Sequence, residues 1–110
     1  MKRLLFIALL LPVAANAADA GTQRSDYKLV ISEHRFQPAE ITIPSGTKIK
    51  LIVENKDATP EEFESHALNR EKVIAGHSSA TILIGPLTPG RYPFVGEFNE
   101  ATAKGVIIVQ

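Results

Sequence analysis

The run Phe36-Gln37-Pro38-Ala39-Glu40-Ile41-Thr42-Ile43-Pro44-Ser45-Gly46-Thr47, followed by Ile49, Leu51 and Val53, shows the architecture of the chain in miniature. Ile41 and Ile43 alternate with polar neighbours, the period of a strand with one buried face. Pro44-Ser45-Gly46 reads as a turn. Beyond it Ile49, Leu51 and Val53 alternate with Lys48, Lys50 and Ile52. The same grammar extends in both directions. Tyr27, Leu29 and Ile31 alternate with Lys28, Val30 and Ser32. Ile82 and Ile84 form another run, in which Leu83 predicts burial on both faces. Tyr92 and Phe94 follow the Pro89-Gly90 turn, and Val106 to Val109 is a β-branched closing run. Pro93 has no amide to donate, which predicts an edge or a local irregularity there. No helical stripe longer than a turn or two interrupts this pattern. Short alternating runs broken by Pro and Gly predict an all-β chain, an antiparallel sandwich or barrel. The few aromatics, Tyr27, Phe36, Phe63, Tyr92, Phe94 and Phe98, read as core.

Composition narrows the function classes. The chain has 110 residues, enough for one domain. Twelve basic and twelve acidic residues give a formal charge of zero, which excludes a nucleic-acid binder resting on bulk charge. Hydrophobic residues at 45% and charged residues at 22% match an ordinary globular domain and exclude disorder. There is no Cys, and the single Met is Met1. No Gly-rich phosphate loop follows a strand, and Ser78-Ser79 lacks the flanking elbow of a serine hydrolase.

The first segment reads as an address. Lys2 and Arg3 precede the apolar run Leu4 to Leu11, and Ala15-Asn16-Ala17 offers small residues for cleavage. This predicts a signal peptide over 1–17, a loose segment over 18–26 and a folded domain over 27–110. The apolar run is far shorter than the roughly 20 residues a membrane span needs, so no direct membrane insertion is expected. The expected location is the bacterial periplasm. Removing Lys2 and Arg3 leaves 10 basic against 12 acidic side chains.

One constellation carries chemistry. Glu62, Glu64 and His66 stand at i, i+2 and i+4, so an extended segment projects all three to one face and turns Glu61 the other way. Two carboxylates and an imidazole suit Fe, Mn, Zn or Cu(II). Clustered carboxylates also repel, and a cation relieves this. The spacing fits a solvated acidic loop as well, with Glu62 or Glu64 paired to Arg70 or Lys72. His77 reads as solvent-facing, and His34 is given no role.

Phe36 to Thr47 with Ile49, Leu51, Val53 and Asn55 resembles the N-terminal strands of cupredoxins. Pro89-Gly90-Arg91-Tyr92-Pro93-Phe94 is similar to the strand leading into the cupredoxin metal loop, and Lys104-Gly105-Val106-Ile107-Ile108-Val109 to the closing strand. The segments Thr59 to Ser65, Arg70 to Val73 and Gly96-Glu97-Phe98 resemble the small cupredoxin-like periplasmic protein of bacterial ferrous-iron uptake operons, related to the EfeO-type cupredoxin-like domain. The resemblance implies a Greek-key β-sandwich of seven to eight strands. It lays the Cys, His and Met positions of a blue-copper loop on Gly96, Asn99 and near Ala103, so all three ligands are lost. A blue-copper centre needs a thiolate, and type-1 electron transfer is excluded by composition.

The resemblance also places Glu97 at the end of the sandwich that carries the Glu62–His66 segment. The implied site is oxygen-rich, with Glu64, Glu97, Glu62, His66 and the amide of Asn99 around one ion of iron or Cu(II). The implied partners are the metal ion, a membrane permease and other periplasmic iron-uptake components. Three mechanisms fit the implied function: handing iron to the permease, assisting oxidation of Fe(II) with a partner or dioxygen as acceptor, or metal-free docking within a transport complex. A copper chaperone is the alternative outside iron uptake, and the lack of Cys and Met-rich motifs argues against it.

Overall fold

The computed structural model describes residues 26–110. The expected signal peptide over 1–17 and residues 18–25 lie outside the described residues, and Asp26 is the first residue of β1. Nine strands follow in chain order: β1 (Asp26–Ser32), β2 (Arg35–Gln37), β3 (Glu40–Ile43), β4 (Ile49–Asn55), β5 (Glu61–Ser65), β6 (Arg70–Ile74), β7 (Ser78–Ile84), β8 (Gly90–Gly96) and β9 (Lys104–Val109). A single 3-10 turn, η1 (Glu97–Asn99), links the last two.

The strands form two sheets, one ordered β2-β1-β4-β7 and the other β3-β9-β8-β5-β6. Both are mixed: β1 runs parallel to β4 and β3 parallel to β9, and the remaining pairs are antiparallel. The purely antiparallel expectation is therefore corrected. Side-chain alternation is the same in both ladders, so periodicity alone cannot separate them. Nine strands also exceed the expected seven to eight. The surplus comes from short elements, the three-residue β2 and the edge strand β6, neither of which shows an apolar period.

The alternating residues meet between the sheets. Leu29, Ile31, Leu51, Val53, Ile82 and Ile84 face inward from one sheet, and Ile41, Ile43, Phe63, Phe94, Ile107 and Val109 from the other, all buried. Phe36, Phe63 and Phe94 form an aromatic knot. Phe36 meets the other two edge-on at centroid distances of 6.2 and 4.9 Å, and Phe63 stacks on Phe94 at 5.0 Å. Such pairs add to area burial. Gly105 lets this knot close against the backbone, since a Cβ there would lie 2.2 Å from Phe94 Cζ.

Two local expectations are overturned, and one is met within an interior strand. Leu83 is 46% exposed, because β7 is an edge strand with one covered face. Phe98 is 51% exposed and is not core. Pro93 sits in an interior strand, opposite Val106 of β9. Its missing donor is harmless because β5 pairs with β8 only at Phe63↔Gly96 and Glu64↔Val95 and has ended before Pro93. The Pro93 carbonyl, which faces the same way as its nitrogen, accepts Ser65 Oγ at 2.7 Å.

Candidate metal centre

The candidate site grows from the alternation of β5. Phe63 is fully buried, so Glu61 and Ser65 share its inward face and Glu62 and Glu64 point outward. The next strand returns through a tight turn in which Asn69 has positive φ and its N–H donates to His66 O. Ser65 Oγ braces that turn by accepting the N–H of Leu68 at 3.1 Å. The resulting register sets Glu64 opposite Glu71 and Glu62 opposite Val73. On the other flank β8 ends at Gly96, paired with Phe63, and Glu97 opens η1 immediately beyond.

Two strands and η1 thus deliver carboxylates to one place. Glu62, Glu71 and Glu97 each offer an oxygen, and these lie within 4.8 Å of one another. Glu62 is only 9% exposed, whereas Glu71 and Glu97 stand open to solvent. Glu64 adjoins the group beside Glu97. The hydrogen bond with Glu71, desolvation, and the hydrogen bond and charge of Glu97 push the Glu62 carboxyl up to about 7. Glu64 is raised as well, first by its hydrogen bond to Glu97 and then by desolvation.

No lysine or arginine among the described residues neutralises this group. Arg70 and Lys72 lie on the opposite face of β6, in register with Ser65 and Phe63. The Arg70 guanidinium donates to the carbonyls of Leu83 at 2.8 Å and Asn69 at 2.9 Å, bridging the sandwich edge instead. Among the described residues, the imidazole of His66 is the basic side chain beside the group, with Nε2 3.6 Å from Glu64 Oε1.

Of the five residues expected at the site, the fold brings Glu62, Glu64 and Glu97 together. His66 lies past the end of β5, its side chain 97% exposed, so the shared-face geometry stops at Glu64. Asn99 is turned away from the cluster, its Nδ2 donating to Glu61 Oε2 at 2.6 Å. Glu71 was missed by sequence reasoning. Its signal was the β5–β6 hairpin, where Glu64 and Glu71 stand symmetrically about the turn. His77 is exposed, as expected. His34 Nδ1 sits 3.6 Å from Asp57, whose carboxylate accepts the N–H groups of Glu33 and His34 and is held below its usual range first by the His34 bond.

Chemically the arrangement is a set of hard oxygen donors that crowd and repel when ionised. It suits a divalent or trivalent hard cation, or protons, and no soft ion.

Comparison with known proteins places the chain. Residues 3–109 match a family model described as a cupredoxin-like domain. An uncharacterized protein of Rickettsia prowazekii (strain Madrid E) is 42% identical over 108 residues, covering 96% of this chain and 86% of the relative. Among solved structures, auracyanin A, a "blue" copper protein of Chloroflexus aurantiacus, superposes with a TM-score of 0.66 at 11% identity, over 77% of this chain and 98% of that one. The metal binding domain of the Cu(I) exporting P-type ATPase of Streptococcus pneumoniae D39, solved with Cu(I), gives 0.65 at 17% identity, over 77% and 84%. At these identities the structural likeness speaks for the fold.

Proposed function

The chain belongs to the cupredoxin-like family, and on that premise we propose that it is a periplasmic metal-binding accessory protein of ferrous-iron uptake. In this reading it takes one hard cation, iron or Cu(II), on Glu62, Glu64, Glu71 and Glu97 and passes it to a membrane permease. The ion is cargo, not a resident redox cofactor. The observation that carries the reading is the convergence of Glu62, Glu71 and Glu97 oxygens within 4.8 Å, with no lysine or arginine among the described residues paired to them. Clustered like charges are costly without a counter-ion, and a bound cation removes that cost. The open position of Glu71 and Glu97 suits loading and release.

The copper centres of the family's blue-copper members do not fit these residues. The chain has no Cys, and its single Met is Met1. Type-1 electron transfer therefore has no place in the proposal.

Anaerobic titration of the protein with Fe(II), Mn(II), Zn(II) and Cu(II), against the Glu64→Ala, Glu97→Ala pair, tests it. One equivalent bound at about micromolar Kd, near −8 kcal/mol, and lost in the pair, is the expected result. Equal binding by both proteins, or none by either, refutes the site.

A further inference from the structure

Under the outer cluster lies a carboxylate of another kind. Glu61 is 1% exposed and sits on the inward face of β5. Its Oε1 accepts the backbone N–H of Glu62 at 3.0 Å and of Phe98 at 2.9 Å. Its Oε2 accepts Asn99 Nδ2 at 2.6 Å. Gly96 is pressed against it: a Cβ there would lie 2.7 Å from Glu61 Cδ and 2.6 Å from Ala103 Cβ. The cupredoxin resemblance lays the thiolate, imidazole and thioether on Gly96, Asn99 and near Ala103. Gly96 and Asn99 meet the Glu61 carboxylate, and Ala103 packs against Gly96.

We propose that the Glu61 carboxylate takes the place of the copper ion in this protein, as an internal anion that closes the inner position to metal and holds η1 against β5. The chemistry is inverted. A metal centre gathers electron-pair donors around a cation, whereas here hydrogen-bond donors are gathered around an anion. Loss of the ligands at Gly96 and Ala103 and the amide at Asn99 belong to one arrangement: two small residues give room, and one amide supplies an N–H. A buried carboxylate persists only when its oxygens are met by donors, and three meet it here.

The arrangement also sets the outer site. Phe98, whose N–H is held by Glu61, directly follows Glu97. Apart from the carboxyl contacts of Glu97 with Glu62 and Glu64, the other hydrogen bonds of the loop tie it to itself and to His34, through Gly96 N–H to Ala103 O, Ala103 N–H to Asn99 O, and Thr102 Oγ1 to His34 O. Glu61 is the buried fastening of η1 to β5, through Phe98 N–H and Asn99 Nδ2, and so sets Glu97 beside Glu62 and Glu64. It is a positioning residue for the outer cluster, a role that rests on the metal-binding reading above.

The test uses the full chain, freed of metal by chelation, with Glu61→Leu and Glu61→Gln. Leu keeps the apolar volume and removes every acceptor. Gln keeps one oxygen for the two backbone donors, and Asn99 can turn its amide over to accept from the new NH2. Backbone amide hydrogen exchange at Phe98 is read without metal, and Mn(II) affinity by electron paramagnetic resonance. Glu61→Leu should lose protection at Phe98 and bind Mn(II) about 10- to 100-fold more weakly, while Glu61→Gln keeps most of both. A folded Glu61→Leu protein with wild-type exchange and wild-type affinity overturns the proposal. So does a Gln variant no better than Leu. If Glu61→Leu does not fold, Asn99→Ala carries the test, since it removes one donor at a half-buried position. Faster Phe98 exchange with weaker Mn(II) binding supports the proposal, and no change in either overturns it. A wild-type protein that binds no Mn(II), yet shows the Glu61-dependent exchange, upholds the internal anion and sinks the outer metal site alone.

Discussion

Glu64 lies directly opposite Glu71 across the β5–β6 ladder. Like charges at that spacing destabilise a strand pair. Each is also within the field of Glu97, and a shared proton or a cation relieves the repulsion.

Glu71→Gln should therefore raise the melting temperature of the metal-free protein at pH 8 by a few degrees and weaken metal binding at least about tenfold. Calorimetry with and without Mn(II) checks both. A variant that melts lower without metal would show that Glu71 has a stabilising partner instead.

The pH dependence has a defined sign. Glu62 holds its proton up to about pH 7 in the folded chain and to about 4.5 in the unfolded one. The folded state binds more protons in that window, so this contribution to stability is full below pH 4.5 and lost as pH rises through 7. Glu64 acts in the same direction. The metal-free protein should melt higher at pH 5 than at pH 8, and Glu62→Gln should flatten the difference. Metal affinity should run the other way, rising with pH to about 7 as the competing proton leaves.

Gly96→Ala should cost about 1–3 kcal/mol by overpacking, because the new Cβ meets Ala103 Cβ at 2.6 Å and Glu61 Cδ at 2.7 Å. Urea denaturation measures it. A cost near zero would mean that the loop moves freely off β5.

Asn55 fastens the loops at the same end of the sandwich. Its buried Nδ2 donates to the carbonyls of Thr59 at 2.8 Å and Ile74 at 3.2 Å, and its Oδ1 accepts the Asp57 N–H at 3.0 Å. Asn55→Ala should destabilise by about 1–3 kcal/mol through the groups it leaves unpaired. The shift in denaturant midpoint, at unchanged slope, is the readout.

Much of the fold could be read from alternation. Leu29 and Ile31, Ile41 and Ile43, and Leu51 and Val53 all point inward as their period predicts. Strand direction could not be read, because a parallel neighbour and an antiparallel one ask for the same alternation. Leu83 and Phe98 misled because an apolar residue records nothing about whether a neighbour covers it. At the site, the outward pair Glu62 and Glu64 followed from Phe63 being core, and Glu61 turned inward for the same reason. Glu71 needed the register of the hairpin, which the turn at His66–Asn69 sets and periodicity does not contain. The engagement of Asn99 with Glu61 needed the third dimension altogether.

β9 is flanked on both sides, by β3 from early in the chain and by β8 just before it. The ladder of Ile41 with Ile107 closes a loop that spans most of the domain. Until residues 104–109 arrive, β3 has no neighbour in its sheet and β8 presents a bare edge. Such long-range pairing places folding in the slow range of about milliseconds to seconds. A chain delivered amino end first must therefore stay open until its last strand is free, which makes an unfinished copy a substrate for proteases and for edge-to-edge association.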